Sequence, residues 1–332
     1  MSRRTLLLGA AAAAALALPS IGLAQANTAR ANSWPTKPIR LLVGFAPGGG
    51  TDIVARALAP VMAETLGQQV VVENRAGAAG TIAADLTAKA APDGYTLLMG
   101  HSNSNAIAPF VQPSIPYDAG ADFSAITYVG YVPNVLVVHP SVPANSVDEL
   151  IALTKAKPES YTYASSGVGS TQHLAGALFG KLTGSSIIHI PYKGSGQAVA
   201  DLLAGQVNMN FDTMPPILPH AQSGKLRALA ISTPQRLPQL PDVPTFAEVG
   251  INGFDVTNWY SVMGPKGIPA DVMTKIDAAV RKAMNDPTIR PKLEQQGLQF
   301  GGPQTPAEFS KFIDAELAKY RKLVVELNVK PQ

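Results

Sequence analysis

Short apolar runs separated by amphipathic stretches recur along most of this 332-residue chain. Ile39-Arg40-Leu41-Leu42-Val43 has the length of a buried strand and runs into glycine- and proline-rich punctuation. Ile53 to Leu66 then takes up helical spacing, with Pro60 a kink or local defect. Gln69 to Glu73 reads as a second strand, Thr81 to Ala90 as a helix and Tyr95 to Met99 as a third strand. Strand, glycine-rich turn, helix, strand is the rhythm of a parallel βαβ sheet.

A second cycle starts at the strand Val135 to Val138, followed by a helix over Val147 to Ala156 and a strand over Tyr161 to Ala164. After the turn Ser165 to Ser170, helix and strand alternate. A helix is predicted over Thr171 to Thr183, a strand over Ile187 to Ile190 and a helix over Ala198 to Leu203. Strands follow at Val207 to Phe211, Leu226 to Ile231 and Asn258 to Met263. The C-terminus is predicted helical over Asp271 to Asn285 and Pro306 to Leu327. Two βαβ sets followed by helices with no sheet of their own predict an α/β protein with a discontinuous first domain. The predicted division is 27–128 and 251–332 for domain 1, and 129–250 for domain 2. The chain would cross out near Tyr128 to Tyr131 and return near Ile251 to Tyr260.

The N-terminus has a different pattern. Arg3 and Arg4 precede an uncharged run of Leu and Ala from Leu6 to Leu18, and Ala24-Gln25-Ala26 supplies a small-x-small cleavage pattern. The run falls short of the roughly 20 residues that span a bilayer. Residues 1–26 are therefore expected to be a signal peptide cut after about Ala26. Ser2-Arg3-Arg4-Thr5-Leu6-Leu7 resembles a twin-arginine export signal, with the general secretory route as the alternative.

This changes how charge is read. The whole chain has 26 Lys+Arg against 23 Asp+Glu; removing Arg3 and Arg4 leaves 24 against 23. A nearly neutral mature chain carries no basic footprint for nucleic acid. With no cysteine, disulfides, thiolate metal sites and a lipidated N-terminal cysteine are all excluded.

Candidate chemistry sits at the strand ends. Gly44-Phe45-Ala46-Pro47-Gly48-Gly49-Gly50-Thr51-Asp52 joins the first strand to the first helix. Ser165-Ser166-Gly167-Val168-Gly169-Ser170-Thr171 repeats the logic in the second half, and Gly194-Ser195-Gly196 does so more weakly, beside Lys193. In open α/β sheets ligands sit outside the carboxyl ends of strands. Helix starts leave backbone N–H groups without partners and place partial positive charge there. Such turns can hold a carboxylate without a cationic side chain. They can equally be ordinary turns whose Ser and Thr cap helices. The candidate ligand-binding residues are Phe45, Pro47, Gly48, Gly49, Gly50, Thr51 and Asp52 on the first turn, and Ser102 after the third strand. Ser165, Ser166, Gly167, Gly169, Ser170 and Thr171 are the candidates on the opposing turn, with Asp212 at the end of a later strand. Asp52 also reads as a brace for its helix, and Asp212 as a cap for the segment beginning Thr213.

Other chemistries lack their motifs. Ile53 stands where a dinucleotide fingerprint needs its third glycine, and no P-loop, nucleophile elbow or H-E-x-x-H is present. The five histidines lack metal-ligand spacing, so no metal and no cofactor are expected; His101 and His173 lie nearest the expected cleft. Trp259 and Tyr260 read as core at the domain crossing or as pocket lining. An alternative is a periplasmic hydrolase pairing Ser165 or Ser166 with His173; another is a ligand sensor using the same cleft.

Taken in order, further segments resemble the Bug, or tripartite tricarboxylate transporter receptor, family. They are Lys37-Pro38-Ile39-Arg40, the first glycine turn, Val70-Val71-Val72-Glu73-Asn74-Arg75, Pro92-Asp93-Gly94-Tyr95-Thr96-Leu97-Leu98, Tyr163-Ala164-Ser165 and His189-Ile190-Pro191-Tyr192-Lys193-Gly194. Gly224 to Ala230 and Leu240 to Thr245 complete the set. Ala76 departs from the Pro that members often carry there. The resemblance implies a two-domain type II periplasmic-binding fold with a hinged cleft, and a ligand carboxylate on the turn Phe45 to Asp52 opposite Ser165 to Thr171. It further implies a monomeric, non-enzymatic periplasmic receptor that hands its ligand to membrane permease subunits. The particular acid is left open.

Overall fold

The structure, a computed structural model, describes residues 34–329. The predicted signal peptide and its cleavage site lie outside these residues. Lys37 onward folds around nine strands in the order β2-β1-β3-β9-β4-β7-β5-β6, with β8 also paired to β4.

β1 (Ile39–Val43) lies between β2 (Val70–Asn74) and β3 (Thr96–His101), all parallel. β9 (Thr257–Pro265) runs antiparallel beside β3 and pairs His101 with Tyr260. Its other neighbour, β4 (Phe123–Val138), is the long element that links two sheets. Phe123 to Pro133 pairs with β9, whereas Asn134 to Val138 pairs with β7 (Met209–Thr213) and β8 (Arg227–Ile231). β5 (Thr162–Ser165) then lies parallel between β7 and β6 (Ile188–Pro191).

One lobe is therefore built on β2-β1-β3-β9 with the first part of β4, and the other on the second part of β4 with β5 to β8. The alternation of strand side chains divides the second sheet's packing cleanly. Leu136 and Val138 join Phe179, Phe211 and Phe254 on one face, while Val135 and Val137 join Leu202, Ile217 and Ile231 on the other.

The helices follow the strand ends: α1 (Gly50–Leu66), α2 (Thr81–Ala88), a short α3 (Ala108–Val111), α4 (Val147–Ala156), α5 (Thr171–Thr183) and α6 (Ser195–Leu203). α7 (Met214–Gln222) has Pro215 and Pro216 in its first turn, where the missing N–H costs nothing. α8 (Ala270–Met284), α9 (Arg290–Gln295) and α10 (Pro306–Glu326) end the chain. α10 returns Phe309, Ile313 and Tyr320 to the first lobe's core, against Trp259 and Tyr128. Each such fully buried side chain contributes about 1.5–3 kcal/mol.

Several elements differ from their sequence expectation. β4 begins twelve residues before the predicted Val135; Gly130 and Pro133 both sit in the strand, and its pairing to β9 shifts register between Ala125 and Thr127 and between Tyr128 and Gly130. β7 extends to Thr213, so Asp212 lies inside the strand rather than after it. α1 starts at Gly50 instead of Ile53, and the glycine turn thereby becomes the first turn of the helix. α7, whose prolines disguise it, was absent from the predicted elements.

Candidate functional site

The carboxyl ends of β1, β3, β5 and β7 converge between the lobes. They surround a small cavity of about 10 Å³. Phe45, Gly49, Gly50, Thr51, His101 and Tyr260 line it from the first lobe; Ser166, Gln172, Ser195 and Thr213 line it from the second. None of these ten carries a full charge at neutral pH, since burial pushes the His101 ring down to about 3.

The helix starts differ in how their amides are used. α1 has glycine at its N-cap, Gly49, and no side chain caps it. The first N–H groups of an α-helix have no intrahelical acceptor, and two residues of this first turn, Gly50 and Thr51, line the cavity. Gly50 is required by packing, because a Cβ there would strike the Tyr260 hydroxyl and approach Thr213 Oγ1 at 3.0 Å. α6 is likewise capped by a glycine, Gly194, with no side-chain bond. At Gly196 a Cβ would sit 2.8 Å from the Pro47 carbonyl oxygen, so the glycine turn of one lobe seats directly on the start of α6 in the other. By contrast, Ser170 caps α5 by accepting from His173 N–H at 3.2 Å, and Thr171 N–H donates to Asn103 Oδ1 at 2.9 Å.

The predicted residues fall into distinct positions. Gly49, Gly50, Thr51, Phe45 and Ser166 line the cavity. Pro47 and Gly48 form the turn beside it. Asp52 accepts from Gly48 N–H (3.0 Å), Arg56 Nε (2.9 Å) and Asn74 Nδ2 (2.9 Å), which fixes the turn to α1 and β2. Burial raises its carboxyl, but these partners outweigh it and hold Asp52 below the usual carboxylate range. Ser102 is buried against His101 Nδ1. Ser165 donates to Gly167 O or engages His189 Nε2 at 2.6 Å, and Gly169 N–H donates to His173 Nδ1. Gly167 lines a neighbouring outer chamber. Thr171 donates its hydroxyl to Asn258 of β9.

Asp212 lies behind the cavity, fully buried. It accepts from Gln172 Nε2 (3.0 Å), Asn210 Nδ2 (2.9 Å), Thr213 N–H (2.7 Å) and the Ser195 hydroxyl. Burial pushes its carboxyl up, against the pull of those donors. The resulting chain Ser166–Gln172–Asp212–Ser195 orders the second-lobe wall.

Gln172 and Thr213 line the cavity without any sequence expectation, Ser195 belongs only to the weaker glycine turn, and Tyr260 reads from sequence as either core or pocket lining. Tyr260 gets there by pairing with His101 across β3 and β9. Its neighbour Trp259 points to the other face, where its Nε1 donates to Glu316 Oε2 at 2.9 Å. Strand alternation, applied to Trp259-Tyr260, is the one signal that separates them.

The pairing of Ser165 or Ser166 with His173 does not form. Ser166 donates to Gln172, Ser165 meets His189 instead, and His173 stacks on His189 with ring centroids 3.9 Å apart. Among the described residues no group of three or more His, Asp or Glu is placed to hold a metal ion, and no helix is long and apolar enough to cross a membrane.

At the crossing itself, Asn258 Nδ2 donates to Asn134 Oδ1 at 2.6 Å, and Asn134 Nδ2 to the Val256 carbonyl at 3.1 Å. These two asparagines tie β4 and β9 where the lobes join. Thr171 reaches the same network from the second lobe.

Comparison with known proteins places the family and the fold. Residues 54–329 match the model of the tripartite tricarboxylate transporter family receptor. Protein BugT of Bordetella pertussis is 41% identical over 321 residues, covering 95% of this chain and 98% of BugT. An R. palustris protein solved with adipate superposes with a TM-score of 0.87 at 35% identity, covering 90% of this chain and all of that one. MatC from Rhodopseudomonas palustris, solved with bound malate, gives 0.84 at 31% identity, covering 88% and 100%. The fold is the two-lobed α/β fold of the type II periplasmic-binding class, and the chain belongs to the Bug, or tripartite tricarboxylate transporter receptor, family of periplasmic solute-binding proteins.

Proposed function

We propose that the mature protein captures a small organic carboxylate between its lobes and delivers it to the membrane subunits of a tripartite tricarboxylate-type transporter. It acts as a monomeric receptor and not as an enzyme. The acid is held by the N–H groups of Gly50 and Thr51 at the start of α1, with the Ser166, Gln172 and Ser195 side chains completing the grip from the second lobe. One observation carries this reading: a 17-residue helix opens, uncapped, onto an interlobe cavity lined by neutral donors. The helix dipole and unpartnered amides favour an anion there, and neutral donors cost less to desolvate than a buried cation.

The cavity of about 10 Å³ is the size of one water, so an acid enters only when the lobes part. Residues 27–128 and 251–332 would move as one body and 129–250 as the other, about the Asn134–Asn258 crossing. Contact with both bodies supplies the differential affinity that shuts the cleft. Residues 1–26 direct export to the periplasm and are removed there.

Thermal unfolding of the purified protein against a panel of mono-, di- and tricarboxylates tests the proposal. An acid at 100 times its dissociation constant adds about 2.7 kcal/mol of stability. A panel in which no carboxylate raises the midpoint overturns it.

A further inference from the structure

A separate pocket of about 560 Å³ lies on the other face of β9 from the interlobe cavity, a volume within the range of small-molecule sites. Strand alternation puts it there. Tyr260 lines the cavity, whereas Thr257 and Trp259 line this pocket, and the two spaces share no residue. Its walls are aromatic and come from both lobes. Tyr128, Tyr131, Trp259 and Phe312 belong to the first, and Phe246 and Phe254 to the second. Phe312 meets Tyr128 and Trp259 edge to face, with ring centroids 5.1 and 5.7 Å away, and Phe246 stacks on Phe254 at 3.8 Å. Rings that pack on one another in this way give the pocket a preformed wall.

Its charge is one-sided. Among the described residues, the charged side chains lining the pocket are Asp255 and Glu316, both acidic. Glu316 is 8% exposed, and its Oε2 accepts from Trp259 Nε1 at 2.9 Å. Lys319, which does not line the pocket, serves both carboxylates, at 2.9 Å from Asp255 Oδ1 and 3.6 Å from Glu316 Oε1. One ammonium shared by two carboxylates leaves a negative charge over. Burial pushes the Glu316 carboxyl up, against the pull of Lys319 and Trp259, so a further positive charge beside it relieves a poorly solvated anion. Aromatic rings attract cations through their quadrupole, and an acidic wall repels the carboxylates that the cleft would hold.

We propose that this pocket is a second binding site, for a small aromatic ammonium compound, whose ring packs among the aromatic side chains and whose positive group sits beside Asp255 and Glu316. The site differs from the acid cleft in the sign of its charge as well as in its place, and it does not depend on the carboxylate-capture reading. Ala247, exposed on the second-lobe side, also lines the pocket and offers a position from which to fill it.

The test is calorimetric titration of the purified protein with 2-phenylethylamine, a cation at neutral pH, and with the neutral 2-phenylethanol. The amine is expected to bind about tenfold more tightly than the alcohol. Asp255→Asn alters an exposed carboxylate without threatening the fold and should weaken the amine about threefold. Glu316→Gln keeps an acceptor for Trp259 and should weaken it about tenfold. Neither variant should change the affinity of the alcohol, whereas Ala247→Phe should reduce both by filling the pocket. Binding should also shift tryptophan emission, because Trp259 lines the site. No binding of the amine, equal affinity for amine and alcohol, or amine binding untouched by Asp255→Asn and Ala247→Phe overturns the proposal, as does competition between the amine and an acid that occupies the cleft. Failure of every carboxylate to bind overturns the cleft reading alone and leaves this site standing.

Discussion

At Gly50 the backbone comes so close to the Tyr260 hydroxyl that a Cβ has no room. Gly50→Ala must push the phenol or tilt the first turn of α1, at a cost of about 1–3 kcal/mol. The same displacement misaims the amides, so acid affinity should drop at least tenfold by calorimetry while the variant remains folded. Asp52 acts differently, since its carboxylate is occupied by Gly48, Arg56 and Asn74. Asp52→Ala leaves three donors without an acceptor, one of them a guanidinium that is half exposed and can rehydrate. A loss of about 2–3 kcal/mol is expected, read from urea unfolding. That residue's placement shows what sequence reasoning could reach. An acid three residues into a glycine-rich helix start reads as a brace or as a ligand contact, and only the position of Asn74 on the neighbouring strand reveals its partners.

Among the elements, α1 and α5 both begin at strand ends facing the cleft, yet they spend their first amides differently. The N-cap Ser170 consumes one donor of α5, and Asn103 from the other lobe consumes another. Glycine at the N-cap of α1 leaves that helix start open. Ser170→Ala is therefore expected to cost about 1 kcal/mol of stability and to change acid affinity less than Gly50→Ala does; paired urea and calorimetric measurements on both variants check this. α6, whose glycine turn drew the weaker expectation, packs its start against Pro47. Local sequence ranks turns by their glycine content, but which turns face each other depends on the long-range pairing of β4 with both sheets.

Among the described residues, the buried His101 and His173 and the half-buried His189 stand neutral around the cleft. Burial holds His101 and His189 down to about 3 and His173 to about 4, with His173 adding to the effect on His189. In the unfolded chain each takes a proton near pH 6.5. Between about pH 6.5 and 3 the unfolded state thus binds more protons, so stability rises with pH across that window and is lost as pH falls. The slope approaches about 1.4 kcal/mol per pH unit for each such histidine. Urea unfolding from pH 7 to 4 should show the decline, and His101→Gln should flatten it; a pH-independent midpoint would contradict the burial seen here. The alternation of apolar runs and amphipathic helices, with the residue types at the strand ends, was enough to determine the α/β class, the strand-end location of the candidate site and the absence of a cationic side chain on its first turn. Those features follow from local periodicity and from what a helix start leaves unbonded. The sequence did not disclose that β4 runs unbroken through both sheets, that Tyr260 stands beside His101, or that Gln172 and Ser195 order Asp212 behind the cavity. These depend on pairings between segments far apart in the chain, whose register is chosen by collective burial and hydrogen bonding of whole sheets and leaves no mark in any short stretch of residues.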